Sequence, residues 1–264
     1  MEKISVAITG ASGKMGREVL KAVSREKEMC VTAAVDPSHS GQDAGSLAGI
    51  GSLGIKISPF LENAILSKKP DVLVDFTRYE AALTHLEIAL KHKVACVIGT
   101  TGFSEEDYKK IQEWCEKFET SALIAPNFAV GAVLLMKFAK EASKYYAAGE
   151  IIDLHHEKKL DAPSGTALRT AALMRETRSE FARHTGEEKI SGARGGDVGG
   201  IRIHSVRLPG FVAHQEVIFG GEGEILTLRH DSLSRESFMP GVLLGIRKVR
   251  DLKGLVVGLE NILE

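Results

Sequence analysis

An apolar strand that runs straight into glycines three residues apart leaves a chain few ways to fold. Ile4, Val6 and Ile8 form one face of a short strand, and Gly10-Ala11-Ser12-Gly13-Lys14-Met15-Gly16-Arg17 follows at once. Val19, Leu20 and Val23 then recur with helical spacing. Glycines at such a strand-to-helix turn remove the Cβ atoms that would hold backbone N–H groups away from a pyrophosphate resting on the helix start. The spacing is G-x-x-G-x-x-G where G-x-G-x-x-G is commoner, so the turn alone fits either a dinucleotide site or an ordinary βα connection.

The second strand, Cys30 to Val35, ends in Asp36, at the distance past the glycines where a carboxylate receives the ribose hydroxyls of NAD. That carboxylate repels the 2′-phosphate of NADP, and the next residue is Pro37, where arginine would favour the phosphate. NADH is therefore expected as the preferred donor, with NADPH possible because Lys14 stands in the same turn.

The βα alternation continues. Residues 42–57 read as a loop-rich excursion, and Phe60, Ile65 and Leu66 suit a short helix. Val72 to Thr77 is a buried strand with a polar end, followed by a helix over 79–91 whose His85 and His92 read as surface histidines. Val94 to Ile98 empties into Gly99-Thr100-Thr101-Gly102 ahead of a helix carrying Ile111, Trp114 and Cys115, and Ala122 to Ala125 reaches Pro126-Asn127-Phe128. Ligands of an open parallel sheet gather beyond the carboxyl ends of its strands. Gly99, Thr100, Thr101, Ala125, Pro126, Asn127 and Phe128 are thus expected along one cofactor crevice with Gly10, Ala11, Ser12, Gly13, Lys14 and Met15. Asn127 and Phe128 are expected to meet a nicotinamide amide and ring. Taken singly, each turn also fits simple chain reversal.

After Gly131 the pattern changes. Residues 133–146 read as a helix, and strand-like stretches over 151–156, 201–208, 212–219 and 224–230 replace the alternation. A mostly antiparallel sheet with a helix over 163–174 packed on it is expected, its open face suited to subunit association. Ser191 to Gly200 is too glycine-rich for regular structure and reads either as a mobile flap carrying Arg194 or as a linker. Ser234 to Ile246 reads as a capped apolar helix and Leu255 to Leu259 as a final strand or edge segment, both returning to the first domain. The fold class is α/β. A Rossmann-type dinucleotide-binding domain (1–130 and 235–264) is expected with an α+β substrate-binding and oligomerisation domain (131–234), hinged near Val130 and Ser234.

Leu154 to Ala167 holds the densest chemistry. His155, His156 and Lys159 precede Asp161-Ala162-Pro163-Ser164-Gly165-Thr166, where a capping carboxylate and a proline suited to a first helical turn announce a helix start. The unpaired N–H groups and dipole there can receive a carboxylate or phosphate, with no Cβ at Gly165 to hold it off. Lys159 adds charge, and His155 or His156 can move a proton near neutral pH. An anionic substrate protonated during reaction fits this set; a polar turn is the plainer reading. Strand parity puts Ile152 and Leu154 on one face and sends His155 and His156 to opposite sides unless the strand ends there.

Composition narrows the partners. A chain of 264 residues with 44% hydrophobic residues, 26% charged residues and net charge −1 is an ordinary globular protein with no field to gather nucleic acid. Its apolar runs, such as 129–136, are shorter than the ~20 residues a membrane helix needs. Met1-Glu2-Lys3 leads directly into the first strand without space for a secretory leader, so a cytoplasmic protein is expected. Cys30, Cys96 and Cys115 are odd in number and widely spaced, as suits reduced thiols, with Cys96 in the core.

Nearly end to end, the chain resembles the 4-hydroxy-tetrahydrodipicolinate (dihydrodipicolinate) reductases of bacterial lysine and diaminopimelate biosynthesis. The resemblance lies in Gly10 to Arg17, Val74-Asp75-Phe76-Thr77, Gly99 to Gly102, Ala125 to Phe128 and, most specifically, His155 to Thr166. Asp153, where family members often carry glutamate, and Pro37 are departures. The resemblance implies that a cyclic dicarboxylate with a conjugated imine takes hydride from NAD(P)H and a proton from the protein, with loss of water. It further implies His155 as proton donor and acceptor, Lys159 as second proton donor, and His156, Ser164, Gly165 and Thr166 as substrate contacts in a homotetramer. Rivals are a semialdehyde dehydrogenase, which would want a cysteine nucleophile at a helix start, and an NADH sensor, which would not need His155 and Lys159. A metal site is disfavoured because adjacent histidines followed by lysines lack ligand spacing.

Overall fold

Alternating apolar runs and amphipathic helices give the first element series. It comprises β1 (Ile4–Thr9), α1 (Lys14–Arg25), β2 (Met29–Val35), α2 (Ala44–Ala48), β3 (Ile57–Ser58) and α3 (Leu61–Lys68). It continues with β4 (Val72–Asp75), α4 (Tyr79–Lys91), β5 (Ala95–Ile98), α5 (Glu105–Phe118) and β6 (Ser121–Ile124). The excursion over 42–57 is thus not all loop: the Asp43 side chain accepts the Ser46 N–H to cap α2. A second series holds α6 (Val130–Ala142), β7 (Ala148–His155), α7 (Gly165–Thr177), β8 (Gly196–Val198), β9 (Ile201–Arg207), β10 (Ala213–Gly221) and β11 (Glu224–Ser232). The tail adds α8 (Met239–Lys248) and β12 (Gly254–Val257). This computed structural model describes residues 3–182 and 186–263. Met1 and Glu2, part of the stretch read against a leader, lie outside them.

The chain forms two units, Met1–Phe128 with Phe238–Glu264, and Ala129–Ser237. In the first, the sheet order is β12-β6-β5-β4-β1-β2-β3, every pairing parallel. The strands β4, β5 and β6 are buried at every position, as helix-covered parallel strands must be. Leu73, Leu86, Leu90, Ile111 and Ile124 fill one face, each contributing roughly 1.5–3 kcal/mol through burial. The tail's β12 pairs with β6 and is the edge strand of this sheet.

The second unit's sheet runs β11-β10-β7-β9-β8. Its pairings are antiparallel except β7 with β9, which is parallel. Ile151, Ile203, Val217 and Phe219 pack with Ala167, Ala171 and Met174 of α7 and Leu135 of α6. The covered face of β7 is therefore that of Ile151, Asp153 and His155, while Ile152 and Leu154 stand on the other. Ser191 to Gly200 corrects the expectation of irregular backbone. Residues 196–198 pair with β9, and Arg194 forms an ion pair with Glu150, so neither a free flap nor a bare linker describes it.

Two glycines test how tightly this backbone is packed. A Cβ on Gly16 would lie 2.1 Å from the Gly10 carbonyl oxygen, backbone against backbone, whereas one on Gly165 would meet no protein atom within 4 Å. Gly16→Ala is expected to destabilise by about 1–3 kcal/mol and Gly165→Ala to stay within about 0.5 kcal/mol, read from urea midpoints.

Candidate active site

The covered face of the second unit's sheet changes character along its strands. On β7, Ile151 gives way to Asp153 and then His155; on β9, Ile203 gives way to Ser205 and Arg207. Asp153 is fully buried. Its Oδ2 accepts the Ser164 N–H (2.8 Å), the Arg207 guanidinium (3.0 Å) and the Ser205 hydroxyl (3.2 Å). Its Oδ1 lies 2.6 Å from His155 Nδ1, an ion-pair contact short of hydrogen-bond alignment, and neither atom has another partner. Burial pushes the Asp153 carboxyl up, but His155, the Ser164 N–H and Arg207 outweigh it and hold the group well below the usual carboxylate range.

β7 ends at His155, so His156 lies beyond the pleat and is not bound by its alternation. The Lys159 N–H donates to the His156 carbonyl (3.1 Å), and the Lys159 ammonium pairs with Asp161 Oδ1 (2.8 Å). That ammonium holds Asp161 below its ordinary pKa. The helix start differs from the expected one. Asp161 and Pro163 precede the helix, and the cap is Ser164, whose hydroxyl accepts the Ala167 N–H (3.2 Å). Gly165 is exposed and Thr166 half-buried in the first turn. Arg207 closes the set by donating to the Asp161 carbonyl (2.8 Å). Sequence reasoning missed Arg207 and named Asp153 only as a departure from the family pattern, with no role; the i, i+2 spacing of Asp153 and His155 was the available signal.

In the first unit, Gly10 adopts a left-handed φ of 68° and its carbonyl accepts the Gly13 N–H (2.9 Å). No side chain caps α1, and its first turn has no acidic residue, so the N–H groups keep their positive end uncompensated. Gly13 and Lys14 are exposed there, Ser12 and Met15 half-buried, and Ala11 buried. Asp36 sits just past β2, with Oδ2 accepting the Ser12 N–H (3.0 Å) and Oδ1 the Ser38 N–H (2.9 Å).

The neighbouring turns converge on Asp75, also fully buried. It accepts from Thr9 Oγ1 (2.6 Å), Thr77 N (2.9 Å), Thr77 Oγ1 (2.7 Å) and Thr100 Oγ1 (3.2 Å), and pairs with His85 Nδ1 (2.7 Å). His85 is thus no plain surface histidine. His92 pairs with Glu62 (3.0 Å). A Cβ on Gly99 would enter the Phe76 ring, and Thr101 is exposed. Pro126 is exposed and Asn127 half-buried, whereas Ala125 and Phe128 are buried. The Phe128 ring packs on Phe76 with centroids 5.7 Å apart and the residue is buried, which corrects the expectation that its ring faces a nicotinamide.

Family models described as dihydrodipicolinate reductase, N-terminus and C-terminus, match residues 4–128 and 131–263. The chain is 51% identical over 267 residues to the 4-hydroxy-tetrahydrodipicolinate reductase of Desulfitobacterium hafniense, with 100% of each chain covered. It is 50% identical over 262 residues to that of Moorella thermoacetica, covering 99% of this chain and 98% of the relative. Dipicolinate-bound dihydrodipicolinate reductase from Paenisporosarcina sp. TG-14 superposes with a TM-score of 0.87 at 44% identity, covering 99% of this chain and 100% of that one.

The Asp75 cluster yields a pH-dependent expectation. Burial raises the Asp75 carboxyl, but His85, Thr9 and Thr77 prevail and hold it below its ordinary 3.8. A depressed folded pKa gives stabilisation that is present above about pH 3.8 and lost as the pH falls through the folded value. Asp75→Asn should be less stable than the parent by roughly 1–3 kcal/mol near pH 7. The gap should shrink in acid, read from urea unfolding at a series of pH values. A gap that stayed constant with pH would show that ionisation is not what holds the cluster.

Proposed function

The chain belongs to the dihydrodipicolinate reductase family and is an NAD(P)H-dependent oxidoreductase, and from that premise we propose that it reduces 4-hydroxy-tetrahydrodipicolinate, by way of dihydrodipicolinate, to tetrahydrodipicolinate with loss of water. The observation that supports this most directly is Asp153, whose two oxygens touch His155 Nδ1 and the Ser164 N–H. A proton-transfer group and an anion-receiving helix start are thereby neighbours.

The reduced nicotinamide supplies the hydride, and the chain's residues do the rest. His155 delivers the proton that the reduced conjugated imine must gain. Lys159, already neutralising Asp161, is a second proton donor and a countercharge for the diacid. His156 contacts the substrate, while Ser164, Gly165 and Thr166 hold a carboxylate at the first turn of α7. That no packing contact demands glycine at 165 supports a ligand reason for its missing Cβ. The Paenisporosarcina relative binds dipicolinate, a planar cyclic diacid of the same class.

For the cofactor, the uncapped start of α1 and the loop Gly10, Ala11, Ser12, Gly13, Lys14 and Met15 suit a pyrophosphate. Asp36 spends two of its roughly four acceptor positions on Ser12 and Ser38 and keeps the others for ribose hydroxyls, which favours NADH over NADPH. Gly99, Thr100, Thr101 and the backbone of Ala125, Pro126, Asn127 and Phe128 are read as further cofactor contacts. We further propose assembly as a homotetramer through the open face of the five-stranded sheet and a cytoplasmic place in lysine and diaminopimelate biosynthesis. Among the described residues no helix is long and apolar enough to cross a membrane, and all three cysteines are free.

The decisive assay mixes the protein with freshly made 4-hydroxy-tetrahydrodipicolinate and NADH and follows nicotinamide absorbance. Decay is expected, with a lower KM for NADH than for NADPH; no decay with either donor would remove the proposal. His155→Gln and Lys159→Ala should each lower turnover by ~10²-fold or more, and losses within about threefold would refute their roles.

A further inference from the structure

We propose that Asp153 is a positioning residue for proton transfer, holding the His155 imidazole and the start of α7 in register so that proton donor and diacid are aligned by one anion. The proposal rests on the reading of His155 and α7 given above. Its own support is geometric. Asp153 and His155 share the helix-covered face of β7, two residues apart. Among the described residues, Oδ1 and His155 Nδ1, both buried, have only their 2.6 Å contact with each other. A carboxylate accepts and never donates, so the nitrogen facing it carries hydrogen and Nε2 is left as the working atom.

The second oxygen fixes the other half of the site. Oδ2 accepts the N–H of Ser164, the cap of α7, at 2.8 Å, and its bond from Arg207 continues through that guanidinium to the Asp161 carbonyl. One side chain thus ties together the end of β7, the strand β9, the loop that carries Lys159 and the helix start. Stability alone does not call for a charge here. A buried ion cluster is usually matched or bettered by apolar packing, and the same face is apolar two residues earlier at Ile151.

The test compares the parent with Asp153→Asn, Asp153→Glu, His155→Gln and the Asp153→Asn/His155→Gln pair. Asp153→Asn should lower kcat tenfold or more with the KM for NADH unchanged. Added to His155→Gln it should cost less than about threefold, because asparagine keeps one oxygen to accept the Ser164 N–H and the effect that remains passes through the imidazole. Nitrogen-15 spectra of the His155 ring, assigned by loss of its signal in His155→Gln, should show hydrogen on Nδ1 in the parent. In Asp153→Asn the hydrogen should move toward Nε2, and Asp153→Glu should restore both the tautomer and most of kcat. Equal losses in both backgrounds would overturn the role of Asp153 while leaving the proposed reaction in place. A His155→Gln protein with parental turnover would instead sink the reading beneath it. Should Asp153→Asn not fold, the parent spectrum still decides: neutral His155 with hydrogen on Nε2 refutes the proposal.

Discussion

A carboxylate taken out of water costs several kcal/mol unless donors surround it, and among the described residues one such group is sealed completely in each of the two units. Asp75 stands at the end of β4 and Asp153 two residues before the end of β7. Each accepts from groups on other segments: Thr9, His85 and Thr100 for Asp75, and Ser164 and Arg207, both on Oδ2, for Asp153. An unpaired buried anion is penalised so heavily that the donors are held to their places. The turns that carry the candidate cofactor and substrate groups inherit that constraint, with Thr77 and Thr100 fixed by one anion and the α7 cap by the other.

The two sheets differ in how they host these groups. The parallel sheet is covered on both faces, so its polar residues collect where the strands stop, and Thr9, Asp75 and Thr100 form a rim above an apolar interior. The second sheet uses one covered face for two purposes, with Ile151, Ile203, Val217 and Phe219 at one end and Asp153, His155, Arg207 and Gln215 at the other. The Gln215 amide shows how the change is managed. It donates to Thr170 Oγ1 at 2.7 Å, anchoring α7 over the boundary between apolar packing and polar site.

Much of this was legible in the residues because strand and helix periods are local. Ile4 to Ile8, Val72 to Asp75 and Ala95 to Ile98 announce buried strands, and the spacing of Val19, Leu20 and Val23 announces α1. Three of the readings that failed did so for identifiable reasons. Asp161 and Pro163 both carry helix-start chemistry, but Asp161 is drawn to Lys159 and Ser164 supplies the cap. The glycines around 196–198 show no side-chain period, and their strand exists because β9 offers an edge to pair with. Phe128 reads as a ligand-facing ring after a strand, yet Phe76, brought alongside by the fold, buries it. Asp153 was hidden differently, since one acid among Ile151, Ile152 and Leu154 resembles a solvent-facing residue until the covered face is known.

On the proposed reading, Asp36 would link donor choice to the shape of the glycine loop. Its Oδ2 receives the Ser12 N–H within the turn that would carry the pyrophosphate, and its Oδ1 receives the Ser38 N–H beyond β2. The charge proposed to disfavour a 2′-phosphate is therefore also an internal ligand of the loop. Removing it to admit NADPH would leave the Ser12 N–H without its acceptor in a segment otherwise held by the Gly13 N–H on the Gly10 carbonyl (2.9 Å), the Ala11 N–H on the Val35 carbonyl (3.3 Å) and the Arg17 guanidinium on the Ser12 carbonyl (2.9 Å). The proposed selectivity against the phosphate and the order in the turn would thus come from the same oxygen atoms. A basic residue replacing Pro37 would act on the phosphate without disturbing them.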